Sequence, residues 1–395
     1  MADPTALDTT PRRTGRRLRI GRGRLIAIEA AVGAALAGAA LLGVGGWTIL
    51  GVAIAVLLIA LLRRDRRWLT EVLAARVRRD ATTSVLAAGR PVPATDTPGV
   101  LTGADHMGAV AEVAPHLEIA ECTDRNGYPL GVAWDGQGFA AAVELDTRRP
   151  LRLDLGRLAA HAADDDVPLA AVQLLIEQVG VARMNGHGAV PHARDPWPGA
   201  DLPLMRRAWV VVRYEPIWSP DAARRRGEGG ADGARLAVAA ALARLRVRLL
   251  GRDLAAAPLD AANLAAVIRT VGDPGPRGEL DRDCWSTSTA YHHTLGATIG
   301  SPADWLALLD AAARTTADRA VISLTVELDG PSTRTRAAVR LVAADKVVAQ
   351  QATQRLQTSA LTSPLTGAQT AGLLATLPLG GGPRPLTGAI GWVAR

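Results

Sequence analysis

The sequence predicts a two-helix N-terminal transmembrane hairpin followed by a cytoplasmic mixed α/β (α+β) domain. Two apolar runs near the N-terminus, each with arginine on its outer flank, indicate the hairpin. After residue 107, strand-like and helix-like patterns follow one another without strict alternation, which favours a mixed body. The chain of 395 residues therefore divides into an anchor and one large domain.

The two apolar runs occupy residues 25–42 and 47–62, and the short stretch GVGG (residues 43–46) separates them. A single continuous helix is one alternative, but it would place two adjacent glycines in its interior. A cleaved signal peptide is a second alternative, although its apolar stretch usually has only about 7–15 residues. We expect two membrane-spanning helices joined by a tight turn.

Arginine clusters mark both outer ends of the hairpin. Seven arginines precede the first run, and four follow the second run within five residues. The positive-inside bias then predicts a two-span protein of the plasma membrane with both termini in the cytoplasm. Arginine at a bilayer surface also predicts contacts with anionic lipids. The residues expected to touch the membrane surface are Arg22, Arg24, Arg63, Arg64, Arg66, Arg67 and Trp68.

Small residues recur at helical spacing in the first apolar run. Small faces allow two helix backbones to approach closely, which is a usual mode of helix association in membranes. The predicted helix-packing residues are Ala30, Ala34, Gly38 and Gly43. Their partner is either the second run of the same chain or a different protein, and the sequence leaves both open.

Five segments follow from these patterns. They are a basic cytoplasmic N-terminus (1–24), two transmembrane helices (25–62), a basic juxtamembrane helix (63–80), a linker (81–107) and a cytoplasmic α/β domain (108–395). Residues 1–80 carry a net charge of +8, against +7 for the whole chain, so the remainder is close to neutral. A neutral body argues against a nucleic-acid partner, which requires a basic patch on the folded domain.

Local patterns predict the main elements of the body. Apolar and β-branched residues indicate strands at 128–145 (two strands around Asp135-Gly136), 167–179, 207–217, 318–330 and 335–345. Helical periodicity indicates helices at 231–253, 259–272, 301–315 and 363–377. The third of these helices opens with Ser301, Pro302 and Asp304, which is typical of a capping box.

A search for chemistry finds no catalytic motif. Cys122 and Cys284 lie far apart and are expected to be reduced structural thiols. The histidines do not have the spacing of a zinc site, and adjacent His292 and His293 should point to opposite faces of a strand. We therefore predict no catalytic, metal-binding or cofactor-binding residues and no cofactor.

One enzymatic alternative stays open. The run Asp164-Asp165-Asp166 contains the D-x-D pattern with which sugar-nucleotide transferases hold a divalent metal. It precedes the strand predicted at residue 167, whereas those enzymes place the pattern after a strand. A solvated loop explains the run better, and a glycine-rich stretch at 224–233 lacks the ending of a P-loop.

The order of features resembles the EccE proteins of actinobacterial type VII (ESX) secretion systems. The basic double apolar run comes first, and NGYPLGVAWDGQGF (126–139) follows. The stretch WVVVRYEPIWSPDAARRRGEGGADGARLAVAAALARL (209–245) is most similar to the family, and CWSTSTAYHHTLGATI (284–299) is looser. The resemblance covers most of the chain in order, but none of these motifs is a strict signature.

The resemblance implies a non-enzymatic structural subunit at the periphery of a secretion complex. Its implied partners are EccB-, EccC- and EccD-like proteins, of which the EccC-like member is the motor ATPase. The family supplies no catalytic motif, so the resemblance implies no site residues. The alternative function is a membrane-tethered, metal-dependent glycosyltransferase-like enzyme that uses the aspartates at 164–166.

Overall fold

The computed structural model describes residues 22–41, 43–61, 63–64, 67–87, 100–124, 126–147, 154–163, 166–180, 204–251, 254–329, 332–358 and 362–382. The described chain divides into two compact units. The first unit ends at Leu61, and the second begins at Leu62 and contains the large domain.

The first unit is a helical hairpin of α1 (Arg22–Ala40) and α2 (Val44–Leu61). Gly38 is buried in this hairpin, and a Cβ at that position would lie 2.9 Å from the amide nitrogen of Leu50. The glycine thus permits close approach of the two helix backbones. Gly43 has a φ of 137°, a turn conformation that glycine adopts at low cost.

The predicted transmembrane hairpin is wrong. Among the residues that the structure describes, no helix is both long and apolar enough to cross a bilayer. Helix α1 begins with Arg22 and Arg24 and carries Glu29, which shortens its apolar part. Helix α2 has 18 residues, about 27 Å at 1.5 Å per residue, against a hydrocarbon core of about 30 Å. The predicted two-span plasma-membrane localisation is contradicted by the same finding.

The second unit contains one 13-stranded sheet, and all of its described strand pairs are antiparallel. The described strands are β1 (Arg63–Arg64), β2 (Arg67–Trp68), β3 (Leu101–Thr102), β4 (Glu118–Thr123), β5 (Pro129–Trp134), β6 (Phe139–Leu145), β7 (Ala171–Gly180), β8 (Leu204–Tyr214), β9 (Ala256–Pro258), β10 (Gly278–Leu280), β11 (Trp285–Thr287), β12 (Tyr291–Ala297), β13 (Arg319–Asp329), β14 (Ser332–Ala343) and β15 (Thr362–Pro364). The strand order in the sheet is β10-β11-β12-β14-β13-β7-β8-β6-β5-β4-β3, with β15 beside β12 and β9 beside β6. A separate two-stranded ribbon is formed by β1 and β2.

Ten helices accompany this sheet within the described residues. They are α3 (Leu69–Ala87), α4 (Ala104–Met107), α5 (Val110–Val113), α6 (Leu155–Ala163), α7 (Pro220–Arg224), α8 (Gly230–Leu250), α9 (Ala261–Gly272), α10 (Pro302–Ala313), α11 (Lys346–Gln357) and α12 (Gln369–Ala375). The predicted fold class is therefore corrected to a β-sheet-rich domain with helices.

The sheet has a hydrophobic cluster on each face. One cluster includes side chains of α6, α8, α10 and α11, and the other includes side chains of α4, α5 and α9. Strand β8 contributes to both by alternation, since Val210 and Val212 lie in the first cluster and Trp209 and Val211 in the second. This two-sided burial explains why the central strands have long apolar runs.

Several local predictions agree with these elements. The hairpin at 128–145 is β5 and β6, paired antiparallel around the turn at Asp135. Helix α10 begins with the predicted capping box, in which Ser301 accepts from the Asp304 amide and Asp304 accepts in return. The helix predicted at 363–377 is shorter, because β15 occupies its first residues and α12 covers only Gln369–Ala375.

Candidate functional site

Polar side chains line part of the sheet face that carries the second hydrophobic cluster. They come from alternating positions of adjacent strands, which place them on the same side of the sheet. The buried members of this polar face are Gln173, Arg213, His292, Thr294, Ser323, Thr325, Arg336 and Arg340. Burial of so many polar groups is costly unless each has partners.

Arg213 forms the first node of the polar face. Its side chain donates to Asp135 at 2.7 Å, to Glu215 at 2.7 Å and to the Leu379 carbonyl at 3.1 Å. Burial alone would lower the pKa of Arg213, but the two carboxylates outweigh it and raise the pKa above its usual value. Trp218 also donates its indole N–H to Glu215 at 3.0 Å. The node therefore connects β8 with the β5–β6 turn and with the C-terminal region.

The second node is formed by Asp273, His292 and Arg340. Arg340 donates to Nδ1 of His292 at 3.0 Å, so this nitrogen is the acceptor. The other ring nitrogen, Nε2, then carries the proton and donates to Asp273 at 2.9 Å. Burial lowers the pKa of His292 to about 3, although the bond with Asp273 opposes this effect. The imidazole is thus neutral in the folded protein.

The charges of the other two members follow from their surroundings. Burial alone would raise the pKa of Asp273, but hydrogen bonds from His292, Gly275 and Thr289 together leave the pKa below its usual range. Burial and the nearby charge of Arg319 lower the pKa of Arg340 to about 9. Asp273 is therefore ionised and Arg340 is protonated at neutral pH.

Gln173 in β7 forms a third node with the C-terminal region. Its amide nitrogen donates to Ser323 at 2.8 Å and to the Ala375 carbonyl at 2.9 Å. Its amide oxygen accepts from the Gly380 amide at 2.9 Å. In the second node, Arg340 donates to the Thr376 hydroxyl at 2.8 Å. All three nodes therefore contact the same segment, residues 369–382, which we call the C-terminal strap.

The charged side chains of these nodes lie in the interior of the domain. A histidine between a carboxylate and a guanidinium could in principle transfer protons, but His292 and Asp273 are each only 1% exposed. Their hydrogen bonds join strands, helix α9 and the strap to one another. Within the described ranges, no group of three or more His, Cys, Asp or Glu side chains is placed to hold a metal ion.

Residues 202–297 match a family model described as "Putative type VII ESX secretion system translocon, EccE". The resemblance to EccE is confirmed. No curated protein matches the chain. The match covers about a quarter of the chain and supports a component of a type VII secretion translocon, which implies other subunits of that system as partners.

Residues 202–297, which match the family model, contain some members of the first and second nodes. Arg213, Glu215, Asp273 and His292 lie within residues 202–297. Their partners Asp135, Arg340 and Leu379 lie outside it. The part of the chain that matches EccE is therefore completed by strands and by a strap that come before and after it.

The predicted helix-packing residues lie in the hairpin of the first unit. Gly38 is buried, Ala34 is half-buried, and Ala30 and Gly43 are exposed. Their role in binding another protein is untested and stays a prediction. The side chains of the seven residues predicted to touch a membrane surface lie outside the described part of the chain. Their binding to anionic lipids therefore stays a prediction.

The aspartates of the enzymatic alternative are only partly described. Asp164 and Asp165 lie outside the described residues. Asp166 forms ion pairs with Arg226 and, at 2.8 Å, with Arg244 of α8. The carboxylate oxygens of Asp166 that would bind a metal ion are therefore paired with arginine side chains. The glycine-rich stretch at 224–233 forms the turn into α8.

The two cysteines are free thiols. Cys284 is buried and Cys122 is half-buried. Burial raises the pKa of the Cys122 thiol to about 11, which leaves it protonated and unreactive at neutral pH.

Sequence reasoning missed the polar nodes and the strap. Gln173 and Glu177 stand four residues apart in the run at 167–179, and Arg336 and Arg340 repeat this spacing at 335–345. In a strand, residues four apart lie on the same face. Polar residues at that spacing inside an apolar run were therefore the available signal for a polar sheet face.

Proposed function

We propose that this protein is a non-enzymatic structural subunit of a type VII secretion complex, where it stabilises or completes assembly at the periphery. The match of residues 202–297 to the EccE translocon family carries this proposal. The partners that we propose are the EccB-, EccC- and EccD-like subunits of the same complex. Each would contact the large domain or the helical hairpin.

The use of the polar groups supports a structural role. The buried charges of the candidate site bond to backbone carbonyls and to one another across elements. An active site would instead direct such groups toward a cleft that a substrate can enter. A scaffold needs a rigid body with defined surfaces, and these buried nodes stiffen the body.

Co-purification tests the proposal. The chain would be tagged at its C-terminus in its native host, isolated under mild non-denaturing conditions, and analysed by native gel and mass spectrometry. We expect a large band that contains an ATPase subunit and other secretion subunits in reproducible ratios. Tagged chain that migrates alone under conditions that preserve the rest of the complex would contradict the proposal.

Nucleotide binding provides the complementary measurement. The purified chain would be titrated with sugar nucleotides in the presence of Mg²⁺ or Mn²⁺. We expect no saturable binding. Saturable binding that is lost in an Asp164→Asn/Asp166→Asn variant would instead favour the enzymatic alternative.

A further inference from the structure

Helix α8 exposes apolar side chains near its C-terminal end. Val247 and Leu250 are 67% and 50% exposed, and Tyr128 of the β4–β5 turn, which contacts Arg246 of the same helix, is 52% exposed. Ala243, Arg246, Val247 and Leu250 share one helix face by their spacing. We call these four residues together with Tyr128 and Arg248 the α8 surface.

The parts of the α8 surface touch one another. The Arg246 guanidinium lies over the Tyr128 ring, 5.0 Å from its centroid. Tyr128, Ala243 and Arg246 also line a shallow depression with a cavity volume of about 10 Å³, room for about one water molecule. Buried Leu130 and Leu242 form part of its lining. Most of its other lining residues are apolar, and Asp124 lies at it together with Arg246.

The tyrosine is held in place by its turn. One carboxylate oxygen of Asp124 accepts from the amides of Asn126, at 2.8 Å, and Tyr128, at 2.9 Å. Such a turn limits the backbone freedom of Tyr128 before any partner binds. A preordered aromatic beside an arginine is typical of the residues that dominate binding energy at protein interfaces.

The charges on α8 differ between its two halves. Arg235 and Arg244 pair with Asp232 and Asp166. By contrast, within the residues that the structure describes, Arg246 and Arg248 pair with no carboxylate. The helix dipole favours cations at this end, but it does not account for the exposed tyrosine, valine and leucine. Residues two apart on a helix do not share a face, so Arg246 and Arg248 lie on opposite sides of the exposed Val247 and Leu250, and only Arg246 lines the depression. Positive charges on both sides of an apolar strip are complementary to an acidic segment with an apolar centre.

We propose that the α8 surface binds a segment of another secretion subunit in which Asp or Glu residues flank apolar side chains. The apolar side chains pack on Val247 and Leu250 and against the exposed ring of Tyr128. The acidic side chains pair with Arg246 and Arg248. This inference rests on the proposed function, because it takes the partner to be a subunit of the same complex.

Site-specific cross-linking in the full chain tests the inference. A photo-crosslinking amino acid would replace Val247, and the complex would be irradiated in its native host. We expect a cross-linked peptide from another secretion subunit that contains carboxylates next to apolar residues. The same amino acid in place of Val347, an exposed residue of α11, is the matched control and should not link to that peptide.

Charge reversal provides the second arm. In an Arg246→Glu/Arg248→Glu background, the cross-link at position 247 should fall at least about tenfold. Reversal of two exposed arginines elsewhere, Arg314→Glu/Arg355→Glu, should leave it unchanged. The cross-link should also weaken at about 1 M salt, where the screening length falls to roughly 3 Å.

Three outcomes would overturn the inference. They are a cross-link to a second copy of this chain, no cross-link at position 247 in an intact complex, and a cross-link that charge reversal does not reduce. In each case the chain still co-purifies with other subunits, so the proposed function stands. Purification of the chain without any other subunit would overturn the proposed function and this inference together.

Discussion

At the residue scale, Arg340 shows how a buried cation stabilises the body. Its guanidinium donates to the Val271 carbonyl at 2.7 Å, to the Gly272 carbonyl at 3.1 Å and to His292. Removing one partner of a buried ionic network leaves the others without hydrogen bonds. We expect Arg340→Met to lower the free energy of unfolding by about 3–5 kcal/mol, measured by urea denaturation.

An exposed arginine is the control for that measurement. Arg314 forms a surface ion pair with Asp310 at the end of α10. Exposed pairs contribute about 0–1 kcal/mol, so Arg314→Met should change the free energy of unfolding by no more than that. Equal losses in the two variants would contradict the role given to Arg340.

Two glycines with the same backbone conformation separate strain from packing. Gly380 in the strap and Gly127 in the β4–β5 turn have φ values of 68° and 80°. A Cβ at Gly380 would overlap the Arg213 side chain, whereas a Cβ at Gly127 meets nothing within 4 Å. Both alanine variants should lose about 1–2 kcal/mol from the left-handed conformation.

Gly380→Ala should lose more stability than Gly127→Ala. Overpacking against Arg213 should lower the free energy of unfolding of Gly380→Ala by a further ~1–3 kcal/mol. Thermal unfolding of the two variants side by side measures the difference. If Gly127→Ala is as destabilised as Gly380→Ala, the strap does not pack against Arg213 as described.

At the element scale, α3 is attached to the large domain by one face. Arg78, Thr82 and Leu86 are buried at intervals of four residues, and Arg78 donates to Gln137 in the β5–β6 turn at 3.3 Å. Val77 lies on the same helix but is 67% exposed. The face of α3 that carries Leu86 therefore belongs to the body of the protein.

A charge placed on that face should release the helix. We expect Leu86→Glu to increase amide hydrogen exchange throughout α3 while the sheet remains protected, because a buried carboxylate without a partner is costly. Val77→Glu should leave the exchange of α3 unchanged, since its side chain faces solvent. Protection of α3 that survives Leu86→Glu would show that this contact does not hold the helix.

Elements with local signals were predictable from the sequence. The β5–β6 hairpin and the capping box of α10 depend on residues within a few positions of one another. Apolar runs with arginine at their outer ends predicted membrane helices at α1 and α2, and the charges of α1 and the length of α2 contradict that prediction. The helix boundaries at these apolar runs could not be predicted from local composition.

The nodes of the candidate site were not predictable in the same way. Gln173 bonds to Ser323, which is 150 positions away, and Arg213 bonds to Leu379, which is 166 positions away. No local pattern states which strands become neighbours, because antiparallel order is decided by packing of the whole sheet. The resemblance to EccE named the family without naming any of these contacts.

At the scale of the whole molecule, the buried histidines make stability depend on pH. The pKa of His292 is lowered from 6.5 to about 3, so the folded protein resists a proton that the unfolded chain accepts. The stabilisation is complete above about pH 6.5 and is lost as the pH falls toward 3, by at most about 1.4 kcal/mol per pH unit. The pKa of His293 is also lowered by burial, which acts in the same direction.

Denaturation at several pH values tests this dependence. The urea midpoint of the wild type should fall between pH 6.5 and 4.5, and the slope should be smaller in His292→Gln. His106→Gln, a change at an exposed residue of α4, should keep the wild-type slope. An unchanged slope in His292→Gln would assign the acid sensitivity to other groups.

The C-terminal strap sets the order in which the protein can be completed during synthesis. Gln173 emerges 202 residues before the Ala375 carbonyl that it binds. At about 5–20 residues per second, that interval lasts on the order of 10–40 s. During this interval the strap has not yet been synthesised, so it cannot cover the polar face of the sheet. Chains that end before the strap leave the buried arginines of that face without their partners in the strap. A ribosome that stalls late on this message would therefore release a product for chaperones and proteases rather than a shorter working subunit.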